Sequence, residues 1–189
     1  MPRAWVGFFV RGFFALTLSI GLFLPDTTAK LAEVYIGFFF FANGTFTLKR
    51  IRQSRTQDKG MTVTALVSLL GGIAVLVMRV GLPLLGMADI GKYLFAPIAI
   101  IIGLFQILGL VQVTPEFNYP LVRRAHLSLG ILEILLGVAI FIFQPVDWQV
   151  KVIAHAWIII VMVVMLSTAY HIRKFGIQQQ IQPSTPNSA

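Results

Sequence analysis

Several polar side chains stand inside long apolar stretches of this sequence, and they are the residues whose chemistry would show a function. A charged group costs roughly 2.5–3.5 kcal/mol or more at the centre of a membrane helix, so it needs a reason to be there. Four of these residues fall near the middle of their stretches and three near one end. The central set is Arg11, Asn43, Gln106 and Glu133, and the outer set is Glu33, Arg79 and His155.

Arg11 and Glu133 are the two charged members of the central set. We counted residues inward from the end of each stretch that lies on the side of the basic links. At 1.5 Å per helical residue, the depths of Arg11 and Glu133 differ by about 3 Å. Glu133 also shares a helix face with Gly130 and Gly137. We therefore predict an Arg11–Glu133 pair inside a helix bundle, with extension of Arg11 to the headgroups as the alternative. Polar residues at comparable depths would let every helix contribute to this layer: Asn43, Ser68, Gln106 and Ser167.

The outer set favours simpler interpretations. Arg79 stands near the end of its apolar stretch, so its side chain is expected to reach water. Glu33 is expected to be a hydrated boundary residue. His155 lies about six residues into the last stretch, and an imidazole changes charge close to neutral pH. A role for His155 in sensing acid stays open, although a hydrogen bond to a neighbouring carbonyl is the simpler expectation.

No motif for catalysis, metal binding or cofactor binding is present in the sequence. The absence of Cys excludes disulfides and thiolate chemistry. Zinc-type His spacings, carboxylate clusters, serine nucleophile motifs, phosphate loops and nucleotide fingerprints are missing. We expect a protein that is not an enzyme and that has no cofactor. A small-solute or proton pathway through the helices is the alternative, and an intramembrane enzyme has the weakest support.

The composition indicates a membrane protein. The chain is 57% hydrophobic and 12% charged, with a mean hydropathy of +0.85, whereas soluble domains carry about a quarter charged residues. Because a transmembrane helix needs about 20 apolar residues, we predict an all-α, polytopic fold with six transmembrane helices. Their approximate ranges are 4–24, 31–48, 62–82, 92–113, 124–144 and 150–171. The first stretch could also be a signal peptide cleaved after residue 29, which we consider the weaker interpretation.

The distribution of Lys and Arg predicts the orientation of the helices. Ten basic residues fall at the N-terminus, in the links after the second and fourth stretches, and after the sixth, against three in the other links. The positive-inside rule then places both termini in the cytoplasm. The net charge of +8 does not indicate nucleic-acid binding, because no soluble basic domain remains. We expect the basic link 49–59 to contact anionic lipid headgroups, and a second copy or another membrane protein stays open as a partner.

Three similar breaks predict three tandem repeats. Asp26, Asp89 and Asp147 are 63 and 58 residues apart, and each is followed by a Lys three or four residues later. Since each repeat crosses the membrane twice, the repeats are parallel. We place them at about 1–55, 60–114 and 120–175, within one domain 1–177, followed by a disordered cytoplasmic tail 178–189. Small residues at heptad spacing are expected at helix contacts: Gly12, Ser19, Gly37, Gly44, Gly130 and Gly137.

The first helix pair resembles the HdeD-like family of small bacterial membrane proteins. The matching segments are "RGFFALTLSIGLFLPD" (11–26) and "YIGFFFFANGTFTLKRIR" (35–52). The matching positions are Arg11-Gly12, Pro25 and Asn43-Gly44 in the first repeat, and Gly130, Gly137 and Pro145 in the third. The chain departs from the pattern at Ser19 and at Arg79, which stand where a glycine is expected. The resemblance implies a bacterial inner-membrane protein associated with acid resistance, and it supplies no catalytic residues.

Overall fold

The computed structural model describes residues 4–24, 28–54, 59–86, 91–111, 120–143 and 147–181. These residues form helices and contain no strand, as the all-α prediction requires. In chain order the helices are α1 (Ala4–Leu22), α2 (Ala29–Ser54), α3 (Lys59–Leu84), α4 (Gly91–Val111), α5 (Pro120–Phe143) and α6 (Asp147–Ile181). Each predicted apolar stretch coincides with one helix.

Helix α3 is α-helical over Lys59–Leu76, turns as a π-helix over Val77–Gly81, and ends with a short α-helical segment, Leu82–Leu84. A π-turn is rare and is found preferentially at functional sites. It is wider than an α-turn, so it changes the direction in which the side chains within it point. Arg79 lies in this turn.

Five of the six helices are long and apolar enough to cross a membrane. In the sixth, α4, the apolar segment Leu94–Gly109 is shorter. Large apolar side chains also cover the outside of the bundle, including Phe13, Leu70 and Leu135, each more than half exposed. A soluble domain rarely leaves such a surface uncovered, whereas lipid chains would cover it. The chain is therefore a membrane protein by its helices and by its surface.

The helices form a closed ring. The closest packing joins α2 with α3, α4 with α5, and α6 with α1, and less extensive contacts join α3 with α4, α5 with α6, and α1 with α2. Helix α6 also contacts α2 across the ring. In terms of the three predicted repeats, the tightest interfaces therefore lie between one repeat and the next, and the third of them closes the ring between the last repeat and the first.

Glycines permit two of these tight interfaces. A Cβ atom on Gly44 of α2 would lie 2.5 Å from the backbone nitrogen of Leu69 on α3. A Cβ atom on Gly103 of α4 would lie 2.5 Å from the carbonyl oxygen of Gly130 on α5. Gly44 and Gly103 are 59 residues apart, so they occupy equivalent places in consecutive repeats. Backbones that approach this closely pack well without a hydrophobic driving force.

Several predicted features fall at the edge of the described residues or beyond them. The turn residues Pro25, Asp26, Asp89 and Pro145 lie outside the described residues, and Asp147 is the first residue of α6. The tail was predicted to be disordered from residue 178, but α6 continues through Ile181. Residues 182–189 lie outside the described part of the chain.

Candidate functional site

Glu133 is fully buried, and its partner is an amide on the neighbouring helix. The Gln106 Nε2 atom of α4 donates a 2.8 Å hydrogen bond to Glu133 Oε1 on α5. Gly130 makes this approach possible, because a Cβ atom there would lie 3.2 Å from the Cβ of Gln106. The bond also fixes the orientation of the amide, since only its nitrogen can donate. Gln106 Oε1 is therefore not the atom that bonds the carboxylate, and it has no hydrogen-bond partner among the described residues.

Arg11 is also buried, with 3% of its surface exposed, but it turns toward α2. Its Nη2 atom donates a 2.7 Å hydrogen bond to Thr47 Oγ1, and that hydroxyl donates a 2.8 Å bond to the carbonyl of Asn43. The guanidinium also lies 5.9 Å from the centre of the Phe8 ring, within the range of a cation–π contact. These contacts hold Arg11 inside the bundle, so it does not extend to the headgroups.

The predicted hydrogen-bonded pair of Arg11 and Glu133 is therefore wrong. Glu133 Oε1 accepts from Gln106, and Oε2 has no hydrogen-bond partner among the described residues. The reason is the order of helices in the ring: α1 packs on α6 and α2, while α5 packs on α4 and α6. Counting residues along each helix does not give this order, and the order decides which side chains can meet.

Two further polar residues share the level of Gln106 and Glu133. Asn43 of α2 and Ser68 of α3 are buried. Gly44, next to Asn43, meets the backbone of Leu69, next to Ser68, so these two residues face the same turn of the bundle. We call Asn43, Ser68, Gln106 and Glu133 the central polar level.

Contacts between α3 and α4 place Ser68 level with Gln106. Thr64, one turn before Ser68, donates a 2.9 Å hydrogen bond to the carbonyl of Phe105. Gly71, one turn after Ser68, packs against Ile102. These two contacts bracket Ser68 on α3 and place it opposite residues 102–105 of α4, directly before Gln106. Ser167 does not join this level, because it is exposed on the outside of α6, so the prediction that every helix contributes is wrong.

Glu33 and Arg79 form a buried ion pair, which we call the outer ion pair. Arg79 donates from both Nε and Nη2 to Glu33 Oε2, and the exposed fractions of the two side chains are 2% for Glu33 and 7% for Arg79. The expectations that Arg79 reaches water and that Glu33 is hydrated are therefore wrong. The π-turn Val77–Gly81 contacts α2, and it presents Arg79 to the carboxylate instead of to the membrane surface.

His155 does not belong to the outer ion pair. It lies on α6, half-buried, with its ring centre 4.6 Å from that of Phe23 on α1. This interface joins α1 and α6, whereas the outer ion pair joins α2 and α3. Its Nε2 atom has no hydrogen-bond partner among the described residues, so its observed contact is with an aromatic ring and not with a carbonyl.

Three aromatic side chains separate the outer ion pair from the central polar level. Phe39 and Phe40 of α2 contact Trp157 of α6 with ring centres 5.3 and 5.8 Å apart, in edge-to-face geometry. All three are buried. Glu33 precedes Asn43 by ten residues on α2, which corresponds to about 15 Å of helix, and the aromatic pair falls between them. We call Phe39, Phe40 and Trp157 the aromatic layer.

The structure places two further polar residues in the interior that the sequence analysis did not select. His126 is buried on α5, and its ring lies 5.9 Å from that of Phe8. Thr47 is buried and bonds Arg11. Both could have been found by helical spacing, because His126 precedes Glu133 by two turns and Thr47 follows Asn43 by one. Each therefore shares a face with a polar residue already selected.

The described residues hold no group of three or more His, Cys, Asp or Glu side chains that could bind a metal ion. The buried charges Arg11, Glu133 and the Glu33–Arg79 pair each have a polar partner, on three different pairs of helices. The aromatic layer lies between the outer ion pair and the central polar level.

Residues 10–77 match the model of a family described as a short repeat of unknown function, DUF308. The match covers α1, α2 and α3 as far as the first residue of the π-turn. It includes Arg11, Glu33, Asn43 and Ser68, while Gln106 and Glu133 lie beyond it. The matching family is thus itself described as a repeat, and its description assigns no activity. No curated protein and no solved structure matches the chain.

Proposed function

We propose that this chain is a non-enzymatic, multi-pass protein of the bacterial inner membrane that supports resistance to acid or to a related stress. The membrane character follows from its apolar helices and apolar surface. The stress role and the bacterial inner membrane rest on the resemblance of residues 11–52 to the HdeD-like family, a segment that lies within the matched repeat.

The observation that carries the non-enzymatic assignment is the partner of each buried charge. Arg79 binds Glu33, Arg11 binds Thr47, and Gln106 binds Glu133. A general acid or base must lie within hydrogen-bonding reach of the proton that it transfers to or from a bound substrate. Here each charged group contacts a residue that holds it in place, and these six residues are spread over five helices.

Both termini are proposed to be cytoplasmic. One end of the bundle carries exposed basic side chains from the end of α2, the starts of α3 and α5, and α6, whereas the other end carries Lys30 and Lys151. The exposed set is Lys49, Arg52, Lys59, Arg123, Arg124, Arg173 and Lys174. Such an end would contact anionic headgroups. Reporter tags fused at each end should both be found in the cytoplasm, and opposite locations would refute the orientation.

The stress role is tested by survival of a deletion strain. Loss of the gene should reduce survival after an acid challenge, and the full chain supplied in trans should restore it. Osmotic and oxidative challenges are the matched controls. Equal survival of the deletion and parent strains under acid would refute the proposal.

A pathway for a small solute or for protons is the second candidate. It is favoured by the presence of two buried polar levels in one bundle, with the aromatic layer acting as a closed barrier between them. Flux assays in proteoliposomes test it, with Glu133→Gln as the variant and Ser167→Ala as the control on the outer surface. Flux above that of empty liposomes, reduced by the first variant only, would support a pathway, and no flux would refute it.

A further inference from the structure

The central polar level contains four oxygen atoms with no hydrogen-bond partner among the described residues. They are Asn43 Oδ1, Ser68 Oγ, Gln106 Oε1 and Glu133 Oε2. Each belongs to a side chain that is more than nine-tenths buried. A buried polar atom without a partner costs about 1–3 kcal/mol, and four of them at one level of a bundle are more than packing requires. Together they indicate a site that is built to receive something.

The chemistry of these four atoms narrows the class of ligand. All four can accept a hydrogen bond or coordinate a cation, and three of them can only accept. The Gln106 amide is oriented by its bond to Glu133, so its oxygen is the atom left for a ligand. The ligand must therefore be positively charged or rich in donors. Anions and nonpolar molecules are excluded by the same reasoning.

The charge of the site selects among cations. Glu133 is the one ionisable residue of the four, so a bound monovalent cation would make the site neutral. Divalent ions such as calcium take six to eight oxygen ligands and usually more than one carboxylate. Arg11, held by Thr47 one turn from Asn43, adds a positive charge nearby, and this disfavours a second positive charge on the ligand.

We propose that the central polar level binds one small monovalent cation through Asn43, Ser68, Gln106 and Glu133. Sodium, potassium and ammonium share the required chemistry, since oxygen atoms can coordinate the first two and accept hydrogen bonds from the third. This is a binding site, and it stands whether or not the chain transports anything. It also places a positive charge beside Glu133 Oε2, which has no hydrogen-bond partner among the described residues.

The test is the thermal unfolding of the purified full-length chain in detergent. Tm is measured in sodium, potassium, ammonium or choline chloride, at one pH and one ionic strength. Choline, a bulky quaternary ammonium ion with no N–H donor, serves as the reference. Because a ligand that binds the folded state raises Tm by mass action, at least one of the three small cations should raise Tm in a saturable manner.

Variants link this response to the site. Glu133→Gln should raise the half-maximal cation concentration at least tenfold, and Ser68→Ala, which leaves the charge in place, should raise it severalfold. Ser167→Ala, a polar-to-alanine change on the exposed surface of α6, should respond as the unmodified chain does. Equal Tm values in all four salts would overturn the proposal. So would an unchanged response in both Glu133→Gln and Ser68→Ala, or a response lost in Ser167→Ala.

Discussion

Removal of one member of the outer ion pair should destabilise the protein far more than removal of both. Glu33 and Arg79 are almost fully buried, and Arg79 donates two charge-assisted hydrogen bonds to one carboxylate oxygen. Each such bond contributes about 1.5–3 kcal/mol. Arg79→Gln leaves a buried carboxylate without its counter-charge, and breaking a buried pair in this way costs about 3–5 kcal/mol.

The double variant Glu33→Gln/Arg79→Gln removes both charges and should recover much of that loss, since two amides can still bond each other. The measurement is the free energy of unfolding in detergent for the unmodified chain, the two single variants and the double variant. The two single losses should exceed the loss in the double variant by at least 2 kcal/mol, which is within the range found for contacting residues.

Additivity would refute this reasoning. If the double variant loses the sum of the two single losses, Glu33 and Arg79 do not act on each other. A loss below about 1 kcal/mol for Arg79→Gln would show that its side chain reaches water, as an exposed pair contributes no more than that. Ser167→Ala is the control for a polar change at an exposed position.

Three further changes test other parts of the bundle. Gly44→Ala should lower the free energy of unfolding by about 1–3 kcal/mol, because the added Cβ atom would clash with the α3 backbone. Gly7→Ala, at a position with open space around it, is the control and should cost nothing. Equal losses in the two variants would contradict the close approach of α2 and α3. Thr47→Val should lower Tm because it removes the hydrogen-bond acceptor of Arg11, whereas Thr47→Ser keeps the hydroxyl and should leave Tm unchanged. An unchanged Tm in the valine variant would contradict the Arg11–Thr47 hydrogen bond. Phe40→Ala should lower the free energy of unfolding by about 3–5 kcal/mol. If the aromatic layer is a barrier, this variant should also raise ion leakage across proteoliposome membranes. Unchanged leakage would show that another part of the bundle blocks the path.

The sequence predicted the helices well because their signal is local. Apolar stretches of about 20 residues identify membrane helices whatever surrounds them, and each predicted range overlaps one observed helix. The level of a polar residue along its helix was also predictable by counting. Glu133 and Gln106 were both assigned to the middle of the bundle, and the structure joins them.

The hydrogen-bonding partners of the buried polar residues were not predictable, because they depend on the order of the helices around the ring. Arg11 and Glu133 have similar depths, yet each bonds a residue of an adjacent helix. The outer ion pair was missed for a different reason. A π-turn has no signature in this sequence, so Arg79 was placed by α-helical counting, which directs it toward water. Ser167 shows the same limit, since its side chain is exposed on the outside of α6.

The closure of α6 on α1 has a consequence for how the chain is made. Helix α1 packs most closely on α6, so Gly12 of α1 meets Leu166 only after the five helices that follow α1 have left the ribosome. Until then that surface must rest against lipid or against an insertion factor. A chain interrupted after α5 would keep it uncovered, and cellular proteases that survey the membrane would find it there.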